Sequence, residues 1–232
     1  LKTSFMGIGI AAAMLSACTS GQQPATTVSG LNPTQFDSVI NGKKTALFTL
    51  KNSNGMEVCI TNFGGRVVSL SVPDKNGNPT DVVLGYDNIA QYADIENSPS
   101  DYGSSVGRYA NRINQGKITV DGKEYQLPQN NFGHCLHGGP TGWMYQVYDA
   151  EQPNDSTLKL TIVSPDGDNR FPGTVTATTT YTVLGNNTLD ITFEATTDKE
   201  TVINMTNHSY FNLAGDPSKA STDNILYVNA DY

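Results

Sequence analysis

The sequence predicts an all-β fold in which antiparallel strands form a large β-sandwich. Short runs rich in Val, Thr, Ile and Tyr alternate with turn residues, and 22 Gly and 11 Pro among 232 residues supply frequent turns. Three successive hairpins in the second half have no helix between them. Neither an internal repeat nor a domain boundary interrupts this pattern, so we expect one domain over residues 35–232.

The predicted elements of the first half are short strands joined by compact turns. They cover residues 46–51, 56–63, 66–72 and 81–86. A turn rich in Asp, Asn and Gly at 74–78 separates the last two strands. Residues 88–93 are the best helix candidate and are expected to form one short turn.

The second half continues as hairpins. Residues 116–127 are predicted to fold back around Asp121 and Gly122, a pair that readily takes the positive φ angles of a tight turn. Further strands are predicted at 158–164, 174–184 and 187–196. Residues 202–205 then lead into a polar and aromatic segment at 207–213.

Residues 1–17 resemble a bacterial lipoprotein signal peptide with its lipobox. The apolar run at 5–15 has eleven residues, whereas a membrane-spanning helix needs about 20. Residues 15–17 read Leu, Ser and Ala and stand directly before Cys18. We therefore expect lipidation of Cys18; an ordinary secretory signal and an N-terminal membrane anchor are the alternatives.

Residues 18–34 are rich in Ser, Thr, Gln, Gly and Pro and are predicted to form a flexible tether. Together with a lipid on Cys18, such a tether would hold the domain at the bacterial cell envelope, on the periplasmic or the outer-surface side. The formal charge of −8 disfavours nucleic acid as a partner, because a polyanion would be repelled. A neutral sugar is indifferent to that charge.

Beyond Cys18 the sequence has only Cys59 and Cys135, too few for a disulfide scaffold. Cys59 lies in an apolar strand pattern and is predicted to pack in the core. A Cys59–Cys135 bridge stays open as an alternative.

The segment 207–213 sets His208 among amides, a hydroxyl and two aromatic rings. Aromatic faces stack on the C–H surface of a pyranose, amides and hydroxyls bind its OH groups, and a histidine moves a proton near neutral pH. His137 precedes two glycines and a proline, a backbone that permits close approach by a ligand. These two histidines are the candidate functional residues.

Two other sets of residues carry weaker signals. His134, Cys135 and His137 do not complete a recognisable zinc-ligand set, so no metal is predicted, and His134 is expected to hold its loop in shape. In the segment 107–113, an extended backbone would place Arg108, Ala110 and Arg112 on one face.

The segment 107–113 allows two interpretations. Arg108 and Arg112 are surface residues beside a buried Ile113, or Asn111 and Arg112 hold sugar hydroxyls. The sequence has no GxGxxG motif, no phosphate loop and no GxSxG elbow, so no cofactor is predicted.

Four segments together resemble the aldose 1-epimerase, or galactose mutarotase, family. They are NFGGRVVSL at 62–70, GRYANRI at 107–113, HGGPTGW at 137–143 and TNHSYFNLAG at 206–215. The resemblance extends from about residue 35 to the end of the chain. It implies a galactose mutarotase-like β-sandwich that interconverts the α and β anomers of free aldoses such as galactose and glucose without a cofactor.

The resemblance also implies roles for individual residues. His208 matches the family's general acid, His137 a substrate-binding residue near the ring oxygen, and Asn111 and Arg112 match hydroxyl-binding residues. Where the family often has Phe, this chain has Trp143.

The family's general-base glutamate and a sugar-binding aspartate lie beyond the point that corresponds to residue 232. We therefore expect a sandwich that is incomplete at the C-terminus, and a chain that by itself is inactive or poorly folded.

Two other functions compete with this interpretation. A non-catalytic carbohydrate-binding β-sandwich protein would keep the fold and lose the chemistry. A hexose-6-phosphate 1-epimerase would need a cationic phosphate pocket, and the 14 Lys and Arg form no basic cluster in the sequence. Retention of both His137 and His208 favours the enzyme acting on free aldoses.

Overall fold

The computed structural model describes residues 26–219 and 221–230, which fold as an all-β domain. The elements of its first half are β1 (Ser38–Ile40), β2 (Lys43–Thr45), β3 (Leu47–Lys51), β4 (Glu57–Thr61), β5 (Arg66–Pro73), β6 (Pro79–Asp81) and the helix α1 (Ile89–Ala93). Those of the second half are β7 (Ser105–Val106), β8 (Arg112–Ile113), β9 (Lys117–Val120), β10 (Lys123–Gln126), β11 (Cys135–Leu136), β12 (Asp149–Asn154), β13 (Thr157–Ser164), β14 (Val175–Val183), β15 (Leu189–Thr197) and β16 (Thr206–Asn207).

Two four-stranded antiparallel sheets form the body of the domain. One has the strand order β3-β4-β5-β6 and the other β12-β13-β14-β15. Their facing side chains make one core: Leu50, Val58, Ile60, Val67, Leu70, Leu158, Leu160, Ile162, Val175, Ala177, Tyr181 and Val183. The predicted all-β antiparallel fold is confirmed.

The strand periodicity explains why the second sheet faces the core on one side. Along β13 the side chains of Leu158, Leu160 and Ile162 point inward and are buried, while Lys159 and Val163 lie on the other face and are exposed. Successive residues of a strand alternate between its two faces. An apolar residue at every second position is therefore enough to form the core side of the strand.

The first sheet is covered on both faces. On its outer side, a second cluster joins Phe36, Cys59, Phe63, Val68 and Tyr92. This is why all five residues of β4 are buried. A strand buried on both faces needs a continuous apolar run rather than alternation, and the run Val-Cys-Ile within β4 provides it.

The chain packs on the domain earlier than the sequence predicts. Residues 26–34, expected to be part of a flexible tether, lie on the outer face of the first sheet: Leu31 is buried, and the Val28 N–H donates to Glu57 Oε1 at 2.6 Å. The polar composition of this stretch predicts a tether because it does not show that Leu31 packs against the sheet. The predicted signal peptide, 1–17, and the lipidation site Cys18 lie outside the described residues.

Both described cysteines are buried and free, so the Cys59–Cys135 bridge that the sequence left open is not formed. They belong to different apolar clusters, Cys59 to that beneath α1 and Cys135 to one beside β9. Burial raises the pKa of the Cys135 thiol to about 11. Both side chains act as small apolar groups.

Most predicted local elements are present, with one difference. The helix at 89–93 and the hairpin around Asp121 and Gly122 form as expected. The strand predicted at 81–86 instead ends at Asp81, whose carboxylate accepts the backbone N–H groups of Leu70 and Val83. Within the described part of the chain, no helix has the length and hydropathy needed to cross a membrane.

Candidate functional site

Two short ladders bring the candidate histidines together. In one, β16 pairs with β7, so that Asn207 lies opposite Ser105. In the other, β11 pairs with β8, so that Leu136 lies opposite Arg112. His208 directly follows β16, and His137 directly follows β11. The two imidazole rings lie side by side, with centroids 5.3 Å apart.

The segment 108–110 connects the two ladders. The Ala110 N–H donates to the Asn204 carbonyl at 2.8 Å, and the Asn204 N–H donates to the Arg108 carbonyl at 3.0 Å. Backbone hydrogen bonds thus join the segment 107–113 to Asn204, which lies two residues before the segment 206–215, and, through Asn111 and His137, to the segment 137–143.

His137 is buried and held at both its backbone and its ring. Its N–H donates to the Asn111 carbonyl at 3.1 Å, and its Nδ1 accepts the Asn111 N–H at 3.0 Å. Because Nδ1 is an acceptor, the neutral ring carries its proton on Nε2. Burial lowers the pKa of His137 below its ordinary value, the Asp101 carboxylate opposes that shift, and His208 and Arg112 add to it.

His208 is held by its backbone and by aromatic neighbours. Its N–H donates to the Ser104 carbonyl at 2.8 Å. Its ring stacks on Tyr210, with centroids 5.1 Å apart, and meets the His137 ring edge to face at 5.3 Å. Among the described residues no side chain or backbone group hydrogen-bonds its ring nitrogens, which leaves them available to a ligand.

A cavity of about 450 Å³ opens between these two rings. Its lining is mostly polar: Ala110, Asn111, His137, Asn204, Met205, Thr206, Asn207, His208 and Ser209. Three of the four predicted site residues, Asn111, His137 and His208, therefore share one cavity. The fourth, Arg112, is exposed beside it and donates from Nε to Asn131 Oδ1 at 2.9 Å.

The two arginines of the segment 107–113 differ in their surroundings. Arg108 is buried and donates to the carbonyls of Pro172 and Gly173, so the prediction of a surface residue is wrong for it. Ile113 is buried as predicted. The expected common face for Arg108 and Arg112 is also wrong, because Asn111 adopts φ 65° and breaks the extended backbone between them.

Two positions beside the cavity escaped sequence reasoning. Arg66 is fully buried and donates to the carbonyls of Ser100, Tyr102 and Met144, so it fixes the loop beside the cavity. That loop carries Asp101, whose Oδ2 lies 3.9 Å from His137 Nε2. No local pattern marks Asp101, since an aspartate in a Ser- and Pro-containing loop is ordinary.

His134 and Cys135 take no part in the cavity. His134 Nδ1 accepts the Gln115 N–H at 3.1 Å, in line with a role in loop shape, and Cys135 is buried. A different set, Asp101, His137 and His208, has its donor atoms within 4.8 Å of one another. The proton on His137 Nε2 occupies the lone pair that a metal would need, so this set suits hydrogen bonding better than metal ligation.

Comparisons with known proteins agree with this geometry. A sequence model of the family described as Aldose 1-epimerase matches residues 46–232. The aldose 1-epimerase of Escherichia coli is 34% identical over 192 residues, which are 83% of this chain and 55% of that protein. The galactose mutarotase of Rattus norvegicus is 39% identical over 179 residues, 77% of this chain and 51% of that protein. The chain thus spans about half the length of the curated relatives it matches.

Solved structures give the same result. An aldose epimerase homologue from C. elegans superimposes with a TM-score of 0.70 at 34% identity, covering 74% of this chain and 52% of that one. A galactose 1-epimerase from Lactobacillus acidophilus superimposes with a TM-score of 0.67 at 30% identity, covering 76% and 51%. The fold, the paired histidines and these matches together place the chain in the aldose 1-epimerase family.

Proposed function

We propose that the protein containing this chain interconverts the α and β anomers of free aldoses such as galactose and glucose. The observation that carries the proposal is the pair of facing rings, His137 and His208, in one polar cavity. A pyranose offers an apolar C–H face and a rim of hydroxyls, and this cavity offers Tyr210 beside it for stacking and amides for the rim.

The reaction needs two proton transfers. A general acid protonates the ring oxygen while a general base removes the proton of the C1 hydroxyl, so that the bond from C1 to the ring oxygen breaks and C1 becomes a carbonyl. Rotation about C1–C2 and closure on the other carbonyl face invert C1. Both transfers then reverse, so no proton is consumed in a turnover.

The surroundings of the two histidines favour different parts in this reaction. His208, which lines the cavity, would act as the general acid. His137 has a fixed Nε2–H and a lowered pKa, so it would stay neutral and donate a hydrogen bond to the ring oxygen or a neighbouring hydroxyl. Asn111, in the cavity, and Arg112, beside it, would hold further hydroxyls.

The general base is not assigned to a described residue. No glutamate lines the cavity in the part of the chain that the structure describes.

Polarimetry tests the proposal. The full encoded polypeptide should speed the decay of optical rotation of freshly dissolved α-D-galactose, with the heat-denatured protein as the baseline. A protein that binds galactose in calorimetry and leaves the decay unchanged would be the non-catalytic sugar binder instead. Galactose 6-phosphate should be a poorer substrate, since among the described residues no lysine or arginine lines the cavity.

Attachment to the cell envelope through a lipid on Cys18 is a separate proposal. It is supported by the signal-like residues that precede that cysteine. The variant Cys18→Ala should move the protein from the membrane fraction to the soluble fraction. Unchanged partition between the two fractions would contradict it.

A further inference from the structure

Asp101 is an acidic side chain that faces the two histidines without a partner of its own. Its carboxylate is partly exposed, and within residues 26–219 and 221–230 no donor hydrogen-bonds it. We propose that Asp101 is a further sugar-binding residue, which accepts a hydrogen bond from the same sugar hydroxyl to which His137 donates. This inference rests on the proposed function and names a contact within that site.

The backbone around Asp101 is fixed on both sides. The Arg66 guanidinium donates from Nη1 to the Ser100 carbonyl at 2.9 Å and to the Tyr102 carbonyl at 3.0 Å. The Asp101 carbonyl itself accepts the Ser104 N–H at 3.1 Å and the Ser104 hydroxyl at 2.9 Å. A carboxylate on such a backbone is held in place before a ligand arrives, which reduces the entropy lost on binding.

The distance between the two groups suits one bridging oxygen. The separation of 3.9 Å between His137 Nε2 and Asp101 Oδ2 is too long for a direct hydrogen bond. An oxygen at about 2.8 Å from both atoms would see them at an angle of about 90°. That angle lies within the range that a hydroxyl oxygen tolerates between the hydrogen bond it accepts and the one it donates.

The chemistry of the two groups selects a hydroxyl. His137 Nε2–H can only donate in the neutral ring, and an ionised carboxylate can only accept. A group that bridges them must therefore accept from one and donate to the other, which a hydroxyl does and an ether oxygen or a C–H does not. The bond that the hydroxyl donates to the carboxylate is charge-assisted and is therefore the stronger of the two.

The position of Asp101 shows where that hydroxyl would lie. Asp101 lines a second cavity of about 350 Å³ together with Asn131 and Tyr145. His137 lines both this cavity and the one that contains His208. A sugar whose reacting carbon lies beside His208 would thus extend one ring hydroxyl past His137 towards Asp101.

The test combines variants with a series of substrates. Mutarotation of galactose and of its 2-, 3-, 4- and 6-deoxy analogues is measured with the full encoded polypeptide and with Asp101→Ala. We expect Asp101→Ala to lower kcat/KM for galactose by about 10- to 100-fold. With the unaltered protein, one deoxy sugar should have a kcat/KM lower than that of galactose by a similar factor. With Asp101→Ala, the same deoxy sugar and galactose should differ little, because the contact between that hydroxyl and Asp101 is already absent.

Two further variants control this result. Asp101→Asn keeps one acceptor oxygen and should recover part of the activity, and Glu96→Gln removes an exposed acidic group of the same loop and should match the unaltered protein. Equal losses on every sugar, or no loss on any, would overturn the inference while leaving the epimerase proposal intact. If the unaltered protein binds sugars but does not catalyse, only the epimerase proposal fails, and binding affinities for the same series decide the role of Asp101.

Discussion

The regions around His137 and His208 use the same side chain in opposite ways. His137 is buried, with its backbone at φ 51° and its Nδ1 bound by the Asn111 N–H. His208 is half-buried and is held through its backbone and through ring contacts with Tyr210 and His137. One ring is locked in a single protonation pattern, and the other has nitrogens that no described group occupies.

Under the proposed function, this difference would let one cavity separate binding from proton transfer. A ring whose tautomer is fixed is a dependable hydrogen-bond donor, but it exchanges its proton poorly because its other nitrogen is already occupied. A ring with available nitrogens can take and release a proton during a reaction. We therefore expect the two histidines to fail differently when each is replaced.

The largest effect is expected from replacing the histidines one at a time with glutamine. His208→Gln should lower kcat of the full encoded polypeptide by about 10²- to 10⁴-fold, because glutamine cannot transfer the proton. His137→Gln should chiefly raise KM, by about 10-fold, because a hydrogen bond to the substrate is lost while the acid remains. Steady-state polarimetry on galactose measures both values.

The two variants check each other. Both should keep the far-ultraviolet circular dichroism of the unaltered protein, which separates loss of function from loss of fold. A large fall in kcat for His137→Gln together with a small one for His208→Gln would reverse the assignment of roles.

The next effect concerns the packing beneath His137. A Cβ on Gly107 would overlap the indole ring of Trp143, which is buried, and the backbone N–H of Trp143 donates to the Gly107 carbonyl. We expect Gly107→Ala to destabilise the domain by about 3 kcal/mol, which corresponds to a fall in Tm of roughly 6–12 °C. Differential scanning fluorimetry measures the change.

Gly185→Ala is the matched control for that variant. A Cβ at Gly185 meets nothing within 4 Å among the described residues, so its Tm should change by little. Equal changes in the two variants would mean that the packing around Trp143 does not support the His137 region.

The periodic parts of the molecule could be predicted from the sequence. Strands such as β13 and β14 were predictable because inward apolar residues recur at every second position. His137, His208 and Asn111, which the sequence predicts as site residues because each lies in a short distinctive segment, line one cavity. Arg108 was misplaced because nothing local shows that distant carbonyls, at Pro172 and Gly173, will surround its guanidinium.

Asp101 shows the same limit at the site itself. Its proximity to His137 depends on Arg66, which lies 35 positions earlier in the chain. The Arg66 guanidinium donates to the carbonyls of Ser100 and Tyr102, the two neighbours of Asp101. Because the contact between Asp101 and His137 is set by a loop that Arg66 holds in place, it has no periodic pattern in the sequence. For a related reason the sequence predicts a flexible tether over residues 26–34, because a single buried leucine, Leu31, does not alter their polar composition.

A smaller effect is expected in the pH dependence of stability. Burial keeps the pKa of folded His137 below the value near 6.5 of the unfolded chain. Its contribution to stability is therefore fully present above about pH 7 and is lost as the pH falls through 6.5 towards the folded pKa, because the unfolded state binds the proton first. Urea unfolding at pH 7.5 and 5.5 should show a smaller fall for His137→Gln than for the unaltered protein.

The variant Asp101→Asn tests the group that raises the pKa of His137. The Asp101 carboxylate raises the pKa of His137 against the effects of burial, His208 and Arg112. Removing its charge should lower the pKa of His137 further, as followed by the ring proton shifts in an NMR titration. A rise in that pKa would contradict the position of the carboxylate.

The smallest effect changes neither rate nor stability and concerns where one proton lies. In ¹⁵N spectra above pH 7, His137 should show a protonated Nε2 and an unprotonated Nδ1, because the Asn111 N–H already occupies Nδ1. His208, whose ring nitrogens no described group binds, should show both tautomers. A protonated Nδ1 on His137 would contradict the difference between the two histidines. Nε2 would then carry a free lone pair near Asp101 and His208, and the three groups would suit a metal ion. Zinc titration of the same sample distinguishes the two states: the tautomer inferred here predicts that the His137 resonances stay unchanged, whereas the other predicts that they shift.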